Sequence, residues 1–200
     1  MRIIAGKFRS RQLKSLKGMA LRPTSDRLRE TLFNILAGRI PGARFVDVFA
    51  GTGAVGIEAL SRGASEIIFI ERHAPAAALI RKNLESLDVL SGARVLSVDA
   101  LHGLELLEKE LEEGPCLPTI VFLDPPYGNT EDYDRVLSFL GFAVLLDEQS
   151  LVIAEHRKNF DLPEIIGNLR RARILKQGDA CLSFYRIARN GSQDHLNPVQ

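Results

Sequence analysis

Short apolar runs alternate with amphipathic segments along most of this chain, from about residue 44 onwards. The apolar runs are short enough to be buried strands. Between them, apolar residues recur at three- and four-residue spacing, as in helices that bury one face. The predicted strands are 45–49, 67–70, 94–98, 119–123 and 151–155, and the predicted helices are 54–62, 76–87, 101–112 and 133–140.

This alternation predicts an α/β, Rossmann-like fold, in which a mostly parallel sheet carries helices on both faces. The last two apolar runs differ, because a short turn alone separates residues 171–176 from residues 181–187. That spacing predicts a closing hairpin. With the five strands before it, the hairpin makes a seven-stranded sheet with one antiparallel edge strand.

The N-terminal segment has a different pattern. Residues 2–5 and 12–16 are short, partly apolar runs that predict a small β-hairpin. Thr24 or Ser25 is then placed to cap the start of a helix, which has Asp26 in its first turn. The chain therefore opens with a predicted hairpin and helix.

These patterns divide the chain into three predicted parts. Residues 1–40 form the N-terminal extension, and residues 41–188 form the α/β domain. Residues 189–200 are polar and lack periodicity, so we expect a disordered tail.

Composition narrows the class of protein. The chain has 200 residues, 46% of them hydrophobic, and its net charge is +1, which fits a soluble globular protein. We expect no membrane span and no secretory signal, and hence a cytoplasmic location. Cys116 and Cys181 are isolated from each other and from histidines, so neither a disulfide framework nor a metal site is expected.

Charge is unevenly distributed along the chain. The first 29 residues carry nine Lys or Arg residues and one acid, Asp26. A basic arm on a neutral body is typical of proteins that bind a polyanion. A solvated tail is equally compatible with charge alone. The candidate residues for binding such a polyanion are Arg2, Lys7, Arg9, Arg11, Arg22, Thr24, Arg27 and Arg29.

A glycine-rich turn follows the first predicted strand. Gly51-x-Gly53-x-x-Gly56 permits a tight turn and close approach of a ligand to the backbone, and it also satisfies the dinucleotide-binding pattern. Asp47 lies just before these glycines. A carboxylate there suits the ammonium of S-adenosylmethionine better than it suits a pyrophosphate.

Two further acids follow the second and third predicted strands. In an open α/β fold, ligands bind at the carboxyl ends of the strands. Glu71 is expected to accept hydrogen bonds from the ribose hydroxyls, and Asp99 from the adenine amino group. The candidate cofactor-binding residues are Asp47, Phe49, Ala50, Gly51, Thr52, Gly53, Glu71, Asp99 and Ala100.

The fourth predicted strand ends in the tetrapeptide Asp124, Pro125, Pro126 and Tyr127. Two prolines stiffen the loop and remove two N–H donors. A carboxylate and a carbonyl oxygen can accept from an exocyclic amino group, and a tyrosine ring can stack on a nucleobase. These four residues are the candidate catalytic residues.

Taken together, these motifs resemble the class I S-adenosylmethionine-dependent amino-methyltransferases. More closely, the sequence is similar to the bacterial 16S ribosomal RNA guanine-N2 methyltransferases of the RsmD type. The resemblance covers residues 1–187 and is carried by residues 2–6, 22–36, 47–53 and 124–127.

The resemblance implies a class I methyltransferase fold and methyl transfer from S-adenosylmethionine. It implies that the acceptor is N2 of guanine 966 of 16S RNA, in an assembling small ribosomal subunit. Asp124 and the Pro125 carbonyl would hold the amino group, and Tyr127 would stack on the base.

Three alternatives remain open at the level of sequence. A DNA adenine-N6 or cytosine-N4 methyltransferase would use the same proline-rich loop. A nicotinamide-dependent oxidoreductase would satisfy the glycine pattern, although Asp47 and the proline-rich loop argue against it. A non-catalytic RNA-binding module could keep the fold, but the complete set of acids argues against loss of activity.

Overall fold

Five helices and eight strands are formed by the described residues of the computed structural model, which are 1–15, 25–111, 119–126 and 130–188. The helices are α1 (Asp26–Ile35), α2 (Ala54–Ser61), α3 (Ala74–Ser86), α4 (Ala100–Leu111) and α5 (Thr130–Leu140). The strands are β1 (Arg44–Val48), β2 (Glu66–Ile70), β3 (Ala93–Leu96), β4 (Thr119–Leu123), β5 (Leu151–Arg157), β6 (Ile165–Ile166), β7 (Leu169–Gln177) and β8 (Ala180–Ile187).

The strands form one sheet in the order β3-β2-β1-β4-β5-β8-β7-β6. The first five in this order are parallel neighbours. β8 runs antiparallel to both β5 and β7, and β7 runs antiparallel to β6. The predicted α/β sheet with a closing hairpin is therefore what the chain forms.

Two details of the sheet correct the prediction. The sheet has eight strands rather than seven, because Ile165–Ile166 adds a two-residue strand that is too short to show a sequence pattern. The antiparallel strand β8 is also internal, since it pairs with β5 on one side and β7 on the other. The sheet therefore ends at β6, beyond the hairpin.

Two hydrophobic cores cover the two faces of the sheet. One contains α1, α2 and α3, and the other contains α4 and α5. Alternate residues of β1 enter opposite cores, with Phe45 in the first and Val46 and Val48 in the second. Asp47 therefore occupies a position on the first face that an apolar side chain would otherwise fill.

The N-terminal arm, residues 1–15, packs against this first core. Ile3 and Leu13 are buried in it, 1% and 5% exposed. A single antiparallel bridge between Arg2 and Gln12 replaces the two predicted hairpin strands. The arm and α1 therefore share a core with the sheet. The predicted division of the chain at residue 40 stays a prediction.

Several predicted features lie outside the described residues: Arg22, Thr24, Cys116, Tyr127 and the tail 189–200. Cys181 is buried in β8. Within the ranges that the structure describes, no helix has the length and apolar character needed to cross a bilayer. In the same ranges, no cluster of three or more His, Cys, Asp or Glu residues is arranged to hold a metal ion.

Helix α2 approaches β2 closely at Gly56. A Cβ atom at this position would lie 2.4 Å from Cε1 of Phe69, a ring that is fully buried in the first core. Glycine thus allows the helix that follows the glycine-rich turn to lie directly on the sheet.

We predict that Gly56→Ala destabilises the protein. The gain in helix propensity is smaller than the cost of forcing the Phe69 ring to move, so we expect a net loss of about 1–2 kcal/mol. Gly38→Ala is the control, since a Cβ there meets nothing within 4 Å. Denaturant unfolding measures both, and equal stabilities would contradict the close approach.

Candidate active site

The carboxyl ends of four parallel strands meet at one edge of the sheet. Val48 of β1 is in register with Ile70 of β2 and Leu123 of β4, and Ile70 is in register with Leu96 of β3. Residues that follow these positions therefore lie side by side. The glycine-rich turn, Glu71, Asp99 and Asp124 all begin at this edge, as predicted for a ligand site of an open α/β sheet.

The turn after β1 has a left-handed backbone at three positions. The φ angles are 65° at Phe49, 54° at Gly51 and 75° at Gly53. Such angles are easy for glycine but unusual for phenylalanine, whose ring is half-buried against the second core. The turn closes through a 2.7 Å hydrogen bond from the Gly53 N–H to the Ala50 carbonyl oxygen.

Glu71 connects the end of β2 to this turn. Its Oε2 accepts a hydrogen bond from the Gly51 N–H at 2.8 Å, and its Oε1 accepts from the His73 N–H at 2.7 Å. Each carboxylate oxygen can accept more than one hydrogen bond. Glu71 is therefore held in position and still has acceptor capacity for ligand hydroxyls.

Asp99 precedes α4 and is held in a similar way. Its Oδ1 accepts from the Leu101 N–H at 3.1 Å, and Arg135 Nη2 lies 3.9 Å from the same atom. Its side chain is 42% exposed. Ala100 follows it as the first, buried residue of α4. Asp99 can therefore present a carboxylate oxygen at the rim of the site.

Asp47 is placed differently from the other acids. It is 2% exposed, and its Oδ2 accepts from the Gly56 N–H at 2.8 Å, inside the first turn of α2. Burial raises the pKa of Asp47 to about 8, against a smaller opposing effect of the Gly56 hydrogen bond and a further raising effect of the Glu71 charge. Asp47 anchors α2, and its predicted contact with an ammonium group stays a prediction.

The proline-rich loop begins beside the glycine-rich turn. The Asp124 N–H lies 3.5 Å from the Val48 carbonyl oxygen, which joins the ends of β4 and β1. Asp124 is half-buried, Pro125 is buried and Pro126 is exposed. The structure thus brings Asp124 to the glycine-rich turn as predicted, while the role of Tyr127 stays a prediction.

This set of groups fits S-adenosylmethionine. A tight glycine-rich turn, two anchored carboxylates at the rim and no basic side chain in the turn suit a ribose, an adenine and a cationic amino acid. Glu71 would hold the ribose, Asp99 the adenine amino group, and Phe49, Ala50, Gly51, Thr52 and Gly53 the amino-acid part.

The basic residues of the N-terminal arm are exposed around a turn. Lys7 and Arg9 lie in the turn 6–10, with Lys7 Nζ 4.7 Å from the centre of the Phe8 ring. Arg2 and Arg11 are also exposed, and Arg11 Nη2 donates to the Ser86 carbonyl oxygen at 2.6 Å. Arg27 is exposed on α1. This surface can receive a polyanion.

Arg29 is a correction to the predicted RNA-binding set. It is 0% exposed, and its Nη2 donates to the Arg2 carbonyl oxygen at 2.8 Å and to Asp26 Oδ1 at 2.9 Å. Its Nε lies 3.9 Å from Glu58 Oε2. Arg29 therefore joins α1, α2 and the arm, and it is not accessible to RNA.

Two buried polar residues that the sequence analysis missed hold the arm in place. The Glu58 carboxylate accepts from the N–H groups of Ile4 and Ala5 at 2.8 and 3.0 Å, and from Arg62 Nε at 2.8 Å. In the sequence, Glu58 is the one acid within the otherwise apolar run 54–60, and this pattern indicates a buried carboxylate.

Asn83 of α3 is the second of these residues. Its Oδ1 accepts from the Lys14 N–H at 2.9 Å, and its Nδ2 donates to the carbonyl oxygens of Lys14 and Thr52 at 3.2 and 3.4 Å. Asn83 is fully buried. It connects the arm directly to the glycine-rich turn.

Comparison with protein families agrees with this geometry. The sequence matches the family described as "Conserved hypothetical protein 95" over residues 1–186. The chain belongs to this family.

Relatives in the family carry names that describe an activity. The chain is 35% identical over 186 residues to YlbH of Bacillus subtilis, whose name describes a candidate rRNA methyltransferase. This match covers 93% of this chain and 98% of that one. It is 35% identical over 196 residues to ribosomal RNA small subunit methyltransferase D of Escherichia coli K12, covering 97% and 93%. The resemblance stated from the motifs is confirmed.

Solved structures share the fold. The protein yhhF from Escherichia coli superposes with a TM-score of 0.78 at 33% identity, covering 94% of this chain and 97% of that one. A protein from Thermus thermophilus gives 0.76 at 29% identity, covering 94% and 99%. The chain therefore has the class I methyltransferase fold.

Asp47→Asn is predicted to change how stability depends on pH. In the unfolded chain Asp47 ionises near its ordinary pKa of 3.8, whereas the folded protein keeps the proton up to about pH 8. Between these two pH values, unfolding releases a proton from Asp47. The contribution of Asp47 to the free energy of unfolding therefore falls as the pH rises from about 4 to about 8. The asparagine amide of the variant does not titrate in this range. The free energy of unfolding of the variant, relative to that of the wild type, should therefore rise from pH 5 to pH 8.

Thermal unfolding of both proteins without ligand, at steps from pH 5 to pH 8, measures this difference. Other titrating groups cancel in the comparison. A difference that stays constant with pH would show that Asp47 is ionised throughout. Calorimetry with S-adenosylmethionine on the same variant tests the predicted ammonium contact.

Proposed function

We propose that this protein transfers a methyl group from S-adenosylmethionine to N2 of a guanine in 16S ribosomal RNA. The family resemblance specifies the target as guanine 966 in an assembling small subunit. The name of the Escherichia coli relative, a small subunit rRNA methyltransferase, supports the substrate class. The described residues of the site support the chemistry.

The observation that carries the proposal is the position of Asp124. It follows β4, the strand next to β1, and its backbone approaches the strand end from which the glycine-rich turn begins. A carboxylate that recognises an amino group is thereby adjacent to the turn that would hold the methyl donor. Two substrates bound at these two places would lie next to each other.

The guanine amino group needs activation, because its lone pair is delocalised into the ring. Asp124 and the Pro125 carbonyl oxygen accept hydrogen bonds from the two N2 hydrogens and orient the lone pair. The Asp124 carboxylate also stabilises the positive charge that develops on N2 while the C–S bond of the donor breaks and a neutral thioether leaves. N2 then loses one proton, either to Asp124 or to water. Orientation of this kind can supply about 7–11 kcal/mol of the barrier reduction.

The donor supplies an electrophilic methyl group, because its sulfur carries a positive charge. Glu71 and Asp99 fix the adenosyl part, and the turn after β1 contacts the amino-acid part. Asp47 keeps that turn in place through α2. Tyr127 is proposed to stack on a guanine displaced from the RNA, and this part of the proposal rests on the resemblance.

The arm provides the second substrate-binding region. Its turn exposes Lys7 and Arg9, and the buried Glu58 holds the backbone next to that turn. Contacts from these side chains to phosphates add affinity without reading sequence. The arm would orient the RNA while the proline-rich loop recognises the base.

A DNA amino-methyltransferase remains the alternative with the same loop chemistry. The names of the relatives favour RNA, and they give no support to an oxidoreductase or to a non-catalytic module. Mapping of the methylated base distinguishes an RNA methyltransferase from a DNA methyltransferase. Labelled methyl on adenine N6 or cytosine N4 of DNA, with none on RNA, would contradict the proposal.

Asp124→Asn is predicted to reduce methyl transfer by about 10²–10³-fold, the effect of losing one charge-stabilising group. Asparagine keeps the shape but supplies one acceptor oxygen and no negative charge. The binding of S-adenosylmethionine should be unchanged. Asp134→Asn, on the exposed face of α5, is the matched control and should be fully active.

The measurement is transfer of labelled methyl to naked 16S RNA and to small-subunit particles, with calorimetry of the methyl donor. Near-native turnover of Asp124→Asn would show that this loop is not catalytic. A loss of donor affinity would assign Asp124 to the cofactor site instead.

The double variant Lys7→Gln/Arg9→Gln is predicted to weaken RNA binding and its dependence on salt. Each lost phosphate contact should lower the slope of log affinity against log salt by about 0.7–0.9. Stability should stay the same, since both side chains are exposed. Point variants are needed because removal of the arm would also remove Ile3 and Leu13 from the core.

Titration of RNA at several salt concentrations measures the slope for the wild type and the variant. Lys82→Gln, on the exposed surface of α3, serves as a control for charge alone. Equal slopes for all three proteins would place the RNA surface elsewhere.

A further inference from the structure

A depression lies between the end of α1 and the β7–β8 hairpin, far from the candidate active site. It is shallow and open to solvent. Apolar side chains form its floor, among them Ile35, Leu36 and Phe184. The side chains of Arg39, Arg173 and Arg186 also line it, mainly through their apolar parts.

A β-bulge directs Arg173 into this depression. Arg171 is in register with Tyr185, but Arg173 is in register with Phe184, so the strand gains one residue between them. Tyr185 and Phe184 belong to opposite cores. Without the bulge, Arg171 and Arg173 would point to the same face. Bulges commonly serve to redirect a side chain in this way.

The arginines of this hairpin fall into two groups. Arg171 is paired with Asp161 at 3.0 Å and with Glu164 at 3.3 Å. Among the described residues, no carboxylate forms an ion pair with Arg173 or Arg186. The Nε atom of Arg186 is buried and has no hydrogen-bond partner in the described part of the chain.

Arg39 adds a third positive charge to the same place. Its Nη1 donates to the Gln149 carbonyl oxygen at 3.1 Å, which uses one of its five N–H groups. Burial, and then the neighbouring charge of Arg186, lowers the pKa of Arg39. The charges of Arg39 and Arg186 therefore repel each other, and no salt bridge to a described carboxylate compensates them.

We propose that the guanidinium groups of Arg39, Arg173 and Arg186, around this depression, form a second RNA-binding site that takes a backbone phosphodiester. This inference rests on the proposed function for the identity of its ligand. The planar guanidinium group matches the geometry of a phosphate and can bind it with two parallel hydrogen bonds. The apolar floor limits water and strengthens these charge-assisted bonds.

The position of the site indicates a large substrate. Leu151, which also lines the depression, is in register with Ile120 at the start of β4, whereas Asp124 follows the end of that strand. The two sites are thus separated by roughly 13 Å along the strand direction, and by further distance across the sheet. A folded RNA or a ribosomal particle can reach both, but a single nucleotide cannot.

The test uses the double variant Arg173→Gln/Arg186→Gln of the full chain. We expect weaker binding to 16S RNA and a slope of log affinity against log salt that is lower by about 0.7–0.9 for each lost contact. Lys176→Gln is the matched control. It removes one charge from β7 on the face opposite to Arg173 and Leu175, and its slope should equal that of the wild type.

Three measurements accompany the titrations. Calorimetry of S-adenosylmethionine should be unchanged in the double variant. Thermal unfolding should occur at no lower a temperature, because the loss of the Arg186 charge relieves its repulsion with Arg39. Inorganic phosphate at millimolar concentration should raise the unfolding temperature of the wild type more than that of the double variant.

Equal salt slopes for the wild type, the control and the double variant would overturn this inference. So would weaker binding to small-subunit particles with unchanged binding to naked RNA, since that result would assign the depression to an acidic protein segment. The proposed function fails differently, through the absence of methyl transfer to RNA by the wild type.

Discussion

Parallel pairing of β1 with β2 and β4 is the constraint on which the candidate active site depends. It brings the ends of three strands to the same edge, so that the glycine-rich turn, Glu71 and the loop that begins at Asp124 become neighbours. A slip of one residue in β1 would turn Asp47 from the α2 face to the α5 face. The helix that follows the turn would then lose its anchor.

A buried carboxylate imposes the second constraint. Glu58 lies in the apolar core, where an ionised group is costly unless it is paired and hydrogen-bonded. Two backbone N–H groups of the arm and the side chain of Arg62 satisfy it. Glu58 is therefore satisfied only when the arm is in place. The basic turn of the arm is consequently presented from a defined surface rather than from a solvated tail.

The arginines show why charge alone does not locate the proposed RNA-binding surface. Arg29 and Arg9 are both in the basic N-terminal segment, yet one is buried in an ionic network and the other is exposed. Arg171 and Arg173 are two residues apart, but a bulge directs them to opposite faces. In each case the environment, and not the residue type, decides whether the guanidinium group can meet a ligand.

The sequence alone determined the order of elements and the chemistry at the strand ends, because periodicity and glycine positions are local properties of the chain. Glu71, Asp99 and Asp124 could be predicted since each directly follows an apolar run. Tertiary structure decided what depends on distant contacts: the internal position of β8, the burial of Arg29 and the raised pKa of Asp47. Each of these depends on which surface covers a side chain, and that is known only when remote segments have come together.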